Sequence, residues 1–277
     1  MINPTQEPTK HAKSTDVPAP SSIDQHLVEI RRNRKAWDRK PALRKAYATF
    51  YRLIAAELSA ASGLTVELGS GIGAIKEFIA DCVTTDLFPN PWLDRTENAY
   101  RLSFKDSEVT NLILFDVFHH LEFPGAALRE FERVLLAGGR LILMEPGFGL
   151  LGRFIYQTFH HEPLGFERPV PWDAPIEFDP DAQRYYAAQA NAWRIFVRHE
   201  LQPNLAKWRL IAVHRLAAVS YVATGGFSGP SLYPAWFYGG MLACDEFLGL
   251  FPSLFATRLL VVLEKKNQPQ MNADVRR

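Results

Sequence analysis

Val66-Glu67-Leu68-Gly69-Ser70-Gly71-Ile72-Gly73 is the stretch that decides the fold. Residues 64–68 read as a short buried strand, and three glycines at alternate positions follow it directly. Glycines there let the chain turn sharply and approach a ligand where a Cβ would collide. The next residues, 74–80, predict a helix whose free N–H groups and positive dipole end suit a carboxylate or phosphate. Two features set this turn apart from a dinucleotide-binding one. Its spacing is G-x-G-x-G rather than G-x-G-x-x-G. Glu67, two residues before the first glycine, would repel a pyrophosphate while accepting a cationic group. A second strand, 82–85, ends at Asp86, where an acid can accept hydrogen bonds from ribose hydroxyls.

Outward from this turn the same alternation continues. Residues 111–115 (NLILF) predict a strand. A helix over 124–136 follows, with Leu128, Phe131, Val134 and Leu135 facing inward, and Gly138-Gly139 ends it. Residues 140–144 (RLILM) form the next strand; later come a strand at 208–216, an apolar helix at 231–250 and a last strand at 257–263. Upstream, Ser22 with Gln25 predicts a capping box. Pro41 opens a second helix with Leu43, Tyr47, Phe50, Ile54 and Leu58 on one face, stopped by Gly63. Short, continuously apolar strands alternating with amphipathic helices indicate a parallel sheet covered on both faces.

Four motifs in order carry a resemblance: the glycine turn, ENAYRLSF at 97–104, LILFDVFHHL at 112–121 and GGRLILMEPG at 138–147. Together they resemble the class I S-adenosylmethionine-dependent methyltransferases, in the small-molecule, methyltransferase type 11-like branch. The resemblance implies an α/β, doubly wound, Rossmann-like sheet of seven strands with the last strand antiparallel. N-terminal helices and an inserted helical lid complete that expectation. It also implies S-adenosylmethionine as cofactor, with Glu67 toward its amino group and sulfonium side and Gly69, Ser70, Gly71 and Gly73 forming the turn. Asp86 and Leu87 would meet the ribose, and Asn98 beside Ala99 the adenine, where the family usually has Asp. Phe115 and Asp116 would line the methionine end.

Residues 1–21 and 267–277 read as tails, the first a disordered one rich in Pro, Thr, Ser and Lys without the apolar run of a secretory signal. Residues 22–146 hold the N-terminal helices and the cofactor half of the core; 207–266 hold its C-terminal half. Between them, 147–206 is too long for a plain connection and dense in aromatics, the expected lid. Those aromatics wall an apolar or sugar-containing substrate, or form the lid's own small core.

Methyl transfer needs alignment, exclusion of water and, for a hydroxyl acceptor, removal of a proton. Histidine suits the last task. The candidate bases are His119 and His120, after the 111–115 strand, and His160, His161 and Glu162 in the insertion. They favour O-methylation slightly, of a small-molecule or a lipid- or sugar-linked acceptor. His160-His161-Glu162 has no second ligand pair at usable spacing, so no metal is expected.

A net charge of +1 gives no global attraction to nucleic acid. The Asn/Asp-Pro-Pro-aromatic turn of base amino-methyltransferases is missing after FDVFHH. Two cysteines, Cys82 and Cys244, supply neither a disulfide framework nor the reactive set that arsenic methylation needs, and fit a reducing cytoplasm. Residues 31–45 carry eight Lys or Arg against Asp38 alone. They are a solvated helix face, or a surface that meets phosphate on a lipid headgroup or lipid-linked sugar. The apolar runs 225–242 and 248–255 are expected to bury against the sheet or in a dimer interface, with peripheral membrane contact as the alternative. Competing functions are a cofactor-binding partner protein without catalysis and an NAD-dependent oxidoreductase, which Glu67 and the glycine spacing oppose.

Overall fold

The computed structural model describes residues 23–267 except His161 and residues 182–185. The first tail, the Ser22 cap and His161 therefore lie outside the described residues, as does all of the second tail beyond Asn267.

Two helices, α1 (Ile23–Arg39) and α2 (Pro41–Ala56), precede a single sheet. Its strands are β1 (Leu64–Leu68), β2 (Val83–Asp86), β3 (Arg95–Thr96), β4 (Val109–Phe115), β5 (Leu135–Pro146), β6 (Trp208–Leu216) and β7 (Arg258–Lys265). They lie in the order β3-β2-β1-β4-β5-β7-β6. The pairs from β3 to β5 are parallel, and β7 runs antiparallel to both neighbours, as expected. Strand order reverses between β1 and β4, the place where open α/β sheets leave a crevice at their carboxyl ends. Leu68 sits opposite Thr85 on one side and Leu114 on the other. Gly69, Asp86 and Asp116 therefore emerge together at that edge.

Both faces of the sheet are covered, which is why its central strands are apolar throughout. On β4, Leu112 and Leu114 point to a face packed by Leu128 and Phe131 of α3 (Pro124–Val134) and by Trp193 and Phe196 of α5 (Asn191–Phe196). Ile113 and Phe115 point to the other face, against Leu43, Tyr47, Phe50 and Ile54 of α2. The region 147–206 contains α4 (Leu150–Phe159), an irregular stretch and α5. After β6 come α6 (Val219–Val222), α7 (Tyr238–Gly249) and α8 (Pro252–Phe255).

Four sequence expectations need correction. The helix expected at 74–80 is only a 3-10 turn, Ala74–Glu77. Few residues separate Gly73 from β2, and the bonds Ile79 N–H to Ile75 O and Cys82 N–H to Ile79 O make isolated turns instead of a ladder. No helix dipole therefore stands behind the glycine turn. Helix α3 stops at Val134, and β5 starts at Leu135, pairs with Val109 and runs through Gly138-Gly139. The helix expected at 231–250 begins only at Tyr238, because Pro234 and a 3-10 turn at Ala235–Phe237 hold the preceding chain away. Finally, the runs 225–242 and 248–255 bury only in part: Phe227 packs against Tyr47 and Tyr238 is buried, but Trp236 is 81% exposed, Leu232 77% and Leu250 70%. Strand β3 was not foreseen, since its two residues are exposed and carry no apolar signal.

Candidate active site

Glu67, at the carboxyl end of β1, is buried. Its Oε1 accepts the Tyr51 hydroxyl at 3.3 Å, while Oε2 is buried without a partner. Burial pushes its carboxyl up to about 7, against the opposing effect of hydrogen bonds from Ser70 and Tyr51. An unsatisfied buried carboxylate oxygen is costly. A cationic group delivered to this position would relieve it.

Gly69, Gly71 and Gly73 all adopt left-handed backbone, with φ of 71°, 54° and 68°. At Gly69 a Cβ would collide with Val117, and at Gly73 it would lie 2.6 Å from the Trp92 carbonyl. At Gly71 only Ile30 of α1 comes near, so the first helix overhangs the turn. Ser70 pins β1 to β2: its N–H donates to the Thr85 carbonyl, and its hydroxyl accepts the Thr85 N–H. Asp86 Oδ2 accepts the Gly71 N–H at 3.2 Å, and Oδ1 accepts the Leu87 N–H at 2.7 Å. The aspartate thus shapes the turn it faces. The Leu87 side chain is partly exposed beside it.

Asn98 lies beyond β3. Its Oδ1 accepts the Tyr100 N–H and its Nδ2 donates to the Pro180 carbonyl. Tyr100 packs edge-on against Phe178, and Ala99 is half-buried against the core. The inserted region is therefore seated on the segment expected to read adenine.

Asp116, just past β4, holds a φ of 56° and receives both terminal nitrogens of Arg258, at 2.7 and 2.8 Å. Arg258, the first residue of β7, is fully buried among the rings of Phe50, Phe115 and Tyr221. Phe115 stacks on Tyr47 at 5.0 Å. The N-terminal helices and the last strand thus meet in one aromatic box around a bidentate ion pair.

The next residues carry a buried polar cluster. Glu145, at the end of β5, accepts the N–H groups of Val117 and Phe118 through one oxygen and bonds His119 Nδ1 at 2.6 Å through the other. Burial opposes charge on His119, but the Glu145 carboxylate outweighs it and the imidazole is raised above its ordinary value. His120 bonds the Tyr186 carbonyl through Nδ1 at 2.9 Å, and burial with the neighbouring His119 lowers it. Glu162, from the inserted region, faces both: 3.8 Å from His119 Nε2 and 4.0 Å from His120 Nε2. His160 stands at the rim, its Nδ1 accepting the Glu162 N–H at 3.4 Å.

The fold therefore brings together His119 and His120 with Glu162, and sets the more exposed His160 beside the same carboxylate, its Nδ1 3.7 Å from Glu162 Oε2; His161 lies outside the described residues. Sequence reading overlooked three members of the site. Glu145 and Arg258 are charged residues inside otherwise apolar strands, which is a usable signal. Gln189, whose Nε2 donates to Glu162, carries none.

Comparison with known proteins agrees with this architecture. Residues 66–143 match the family model described as a methyltransferase domain. A search of curated proteins by sequence finds no match. Among solved structures, a chain of the complex between the Haloferax volcanii Trm112 methyltransferase activator and a methyltransferase superposes with a TM-score of 0.51 and 16% identity, over 91% of this chain and 100% of that one. Geranyl diphosphate C-methyltransferase from Streptomyces coelicolor A3(2) gives 0.48 and 11%, over 79% and 76%. An S-adenosylmethionine-dependent methyltransferase of Thermotoga maritima gives 0.46 and 16%, over 83% and 95%. At 16% identity the first of these likenesses speaks for the fold alone. Residues 66–143 thus carry a methyltransferase domain, set in a seven-strand sheet with the strand order of the class I S-adenosylmethionine-dependent methyltransferase fold.

Proposed function

We propose that the protein methylates a hydroxyl oxygen on a small or lipid-linked acceptor. Its cofactor would lie across the carboxyl ends of β1, β2 and β4. The orphaned Oε2 of Glu67 fits the cofactor's ammonium group, and Asp86 stands where ribose hydroxyls would donate. Asn98 and Ala99 would flank the adenine, with Phe115 and Asp116 toward the methionine end. Bound there, S-adenosylmethionine supplies a methyl group activated by its sulfonium.

The observation that favours oxygen is the pair of imidazoles just beyond Asp116. Each has its Nδ1 tied, one to Glu145 and one to the Tyr186 carbonyl, so each presents Nε2 toward the same space before Glu162. His120, held toward its neutral form, is suited to orient or deprotonate a hydroxyl. The inserted region 147–206, seated on Asn98 and contributing Glu162, would close the acceptor side and exclude water. Exposed Trp236, Phe247, Leu250 and Phe251 near the chain's C-terminal helices suit a lipophilic acceptor tail or lipid surface.

Calorimetric titration with S-adenosylmethionine and S-adenosylhomocysteine, beside Asp86→Ala, tests the cofactor placement. Binding that the variant loses supports it; binding that the variant keeps removes Asp86 from the site. A turnover screen of alcohols, amines and carbon nucleophiles, each with and without an acyl or prenyl tail, tests the acceptor. Turnover confined to amines or carbon would sink the oxygen reading. Flotation with liposomes that leaves the protein entirely unbound would count against lipid contact.

A further inference from the structure

The two histidines of the loop after β4 and Glu162 of the inserted region converge on one another. His119 Nε2 and His120 Nε2 stand 3.8 and 4.0 Å from the two oxygens of Glu162, beyond hydrogen-bond reach yet converging on one carboxylate. One ligand atom from each of the three residues lies within 4.8 Å of the other two. In a tetrahedral zinc site with bonds of about 2.0–2.1 Å, neighbouring ligand atoms are about 3.3 Å apart. Contractions of about 0.5 and 0.7 Å at the two histidine–glutamate pairs, with the two imidazoles drawing together from within 4.8 Å, would close the set on a cation.

The surroundings match what metal-binding imidazoles require. A ligating histidine usually donates its second ring N–H to a carboxylate or a backbone carbonyl, which fixes the tautomer and the ring. Here His119 Nδ1 bonds Glu145, itself anchored by two backbone N–H groups, and His120 Nδ1 bonds the Tyr186 carbonyl. Glu162 is held in turn by the amide of Gln189. The other end of that amide, Oε1, is buried and accepts no hydrogen bond, and a metal-bound water is a donor that would satisfy it. His119 and Glu162 are nearly inaccessible, while the His120 side chain is 33% exposed and leaves an approach.

We propose that His119, His120 and Glu162 form a binding site for one divalent transition-metal cation of the zinc class. Two imidazoles in three ligands select borderline ions such as zinc, cobalt, nickel or iron(II) over magnesium or calcium, which take oxygen donors. Three protein ligands leave a fourth position for water or an acceptor oxygen, the pattern of catalytic rather than structural zinc. HHE at 160–162 is not itself the ligand set. The fold takes Glu162 from that run and joins it to the histidine pair of the β4 loop, a combination that sequence spacing does not display. The cation site stands whether or not the acceptor is a hydroxyl.

Cobalt(II) added to the full-length, metal-stripped protein tests the site through its visible absorption, with competition by a chelating dye giving the affinity. The expected result is one equivalent bound with the spectrum of four- or five-coordinate nitrogen-ligated cobalt. His120→Ala and Glu162→Gln should each lose at least tenfold in affinity, and Glu145→Gln about 10–100-fold through the outer shell. Thermal melts and S-adenosylhomocysteine titration establish that each variant is folded with its cofactor site intact. Those titrations also separate this proposal from the methyl-transfer reading, which survives if cofactor binds and cobalt does not. Wild-type binding no tighter than that of folded His120→Ala and Glu162→Gln overturns the metal site.

Discussion

Replacing Glu67 by glutamine exchanges a buried carboxylate for an amide of nearly the same shape and separates two consequences of that side chain. In the free protein the carboxyl is pushed from 4.5 up to about 7 by burial. At about 1.4 kcal/mol per tenfold in proton affinity, the ionised form destabilises the fold by about 3 kcal/mol. Below pH 4.5 both folded and unfolded chains hold the proton. Between 4.5 and 7 the folded chain keeps a proton that the unfolded chain has released, so unfolding free energy falls as pH rises through that window. Above 7 it stays at the lower value. The amide still accepts from Tyr51 but buries an NH2 group where Oε2 had no partner, which costs about 1–2 kcal/mol. Glu67→Gln should therefore be more stable than the wild type by about 1–2 kcal/mol at pH 8.5, an advantage that disappears near pH 5. Cofactor binding should move the other way: loss of a charge-assisted pair worth about 1.5–3 kcal/mol weakens it about 10–100-fold. Urea denaturation of the cofactor-free proteins at both pH values, beside calorimetric titration with S-adenosylmethionine, reads both effects. A stability difference that does not change between pH 5 and 8.5 would refute the reasoning, as would undiminished cofactor affinity.

Three further perturbations follow from the same contacts. Asp116→Asn leaves the Arg258 guanidinium buried without its counter-charge and should cost about 3–5 kcal/mol, whereas Arg258→Met leaves an aspartate that is 32% exposed and should cost less; chemical denaturation of the two variants gives the order, and the reverse order would contradict it. Gly73→Ala meets both a positive φ and the Trp92 carbonyl, and should lose at least about 1–2 kcal/mol by thermal melting. Gly71→Ala has room for its methyl group, so its melting loss should be the smaller of the two. Lys40→Met removes the ammonium bonded to the carbonyls of Thr224, Gly226 and Gly229, and should speed amide hydrogen exchange across the 223–230 loop while leaving β4 and β5 unchanged.

Why the sheet was legible and the site only partly so has a physical basis in particular residues. Residues 111–115 announce a central strand because both of its faces are buried, Leu112 and Leu114 under α3 and α5, Ile113 and Phe115 under α2. A strand covered on one face only would alternate apolar with polar residues instead. The glycine turn is legible for a similar reason: φ values of 54° to 71° in succession, with a side chain and a carbonyl pressed against two of the three residues, admit little else. The missing helix after it was not legible, because AIKEFIA has helical composition and only the short return to β2 prevents the ladder from forming. Nor could composition distinguish buried from exposed apolar residues at 236–251, where local hydropathy says nothing about which neighbour the sheet supplies. The polar cluster shows the limit most clearly. His119 and His120 are adjacent in sequence, but Glu145 reaches them from the next strand and Glu162 and Gln189 from the inserted region. Each of those contacts depends on where the ends of separate elements meet, and periodicity within any one element carries no information about that meeting. A lone acid at the end of an apolar strand, as Glu145 is in LILMEP and Glu67 in LTVEL, is the one trace that remains in the sequence. A carboxylate is tolerated at such a position only where something answers its charge. For Glu145 the chain answers it with His119 and two backbone N–H groups; for Glu67 the chain supplies only hydroxyl groups and no counter-charge, which is why the proposed cofactor site is centred on it.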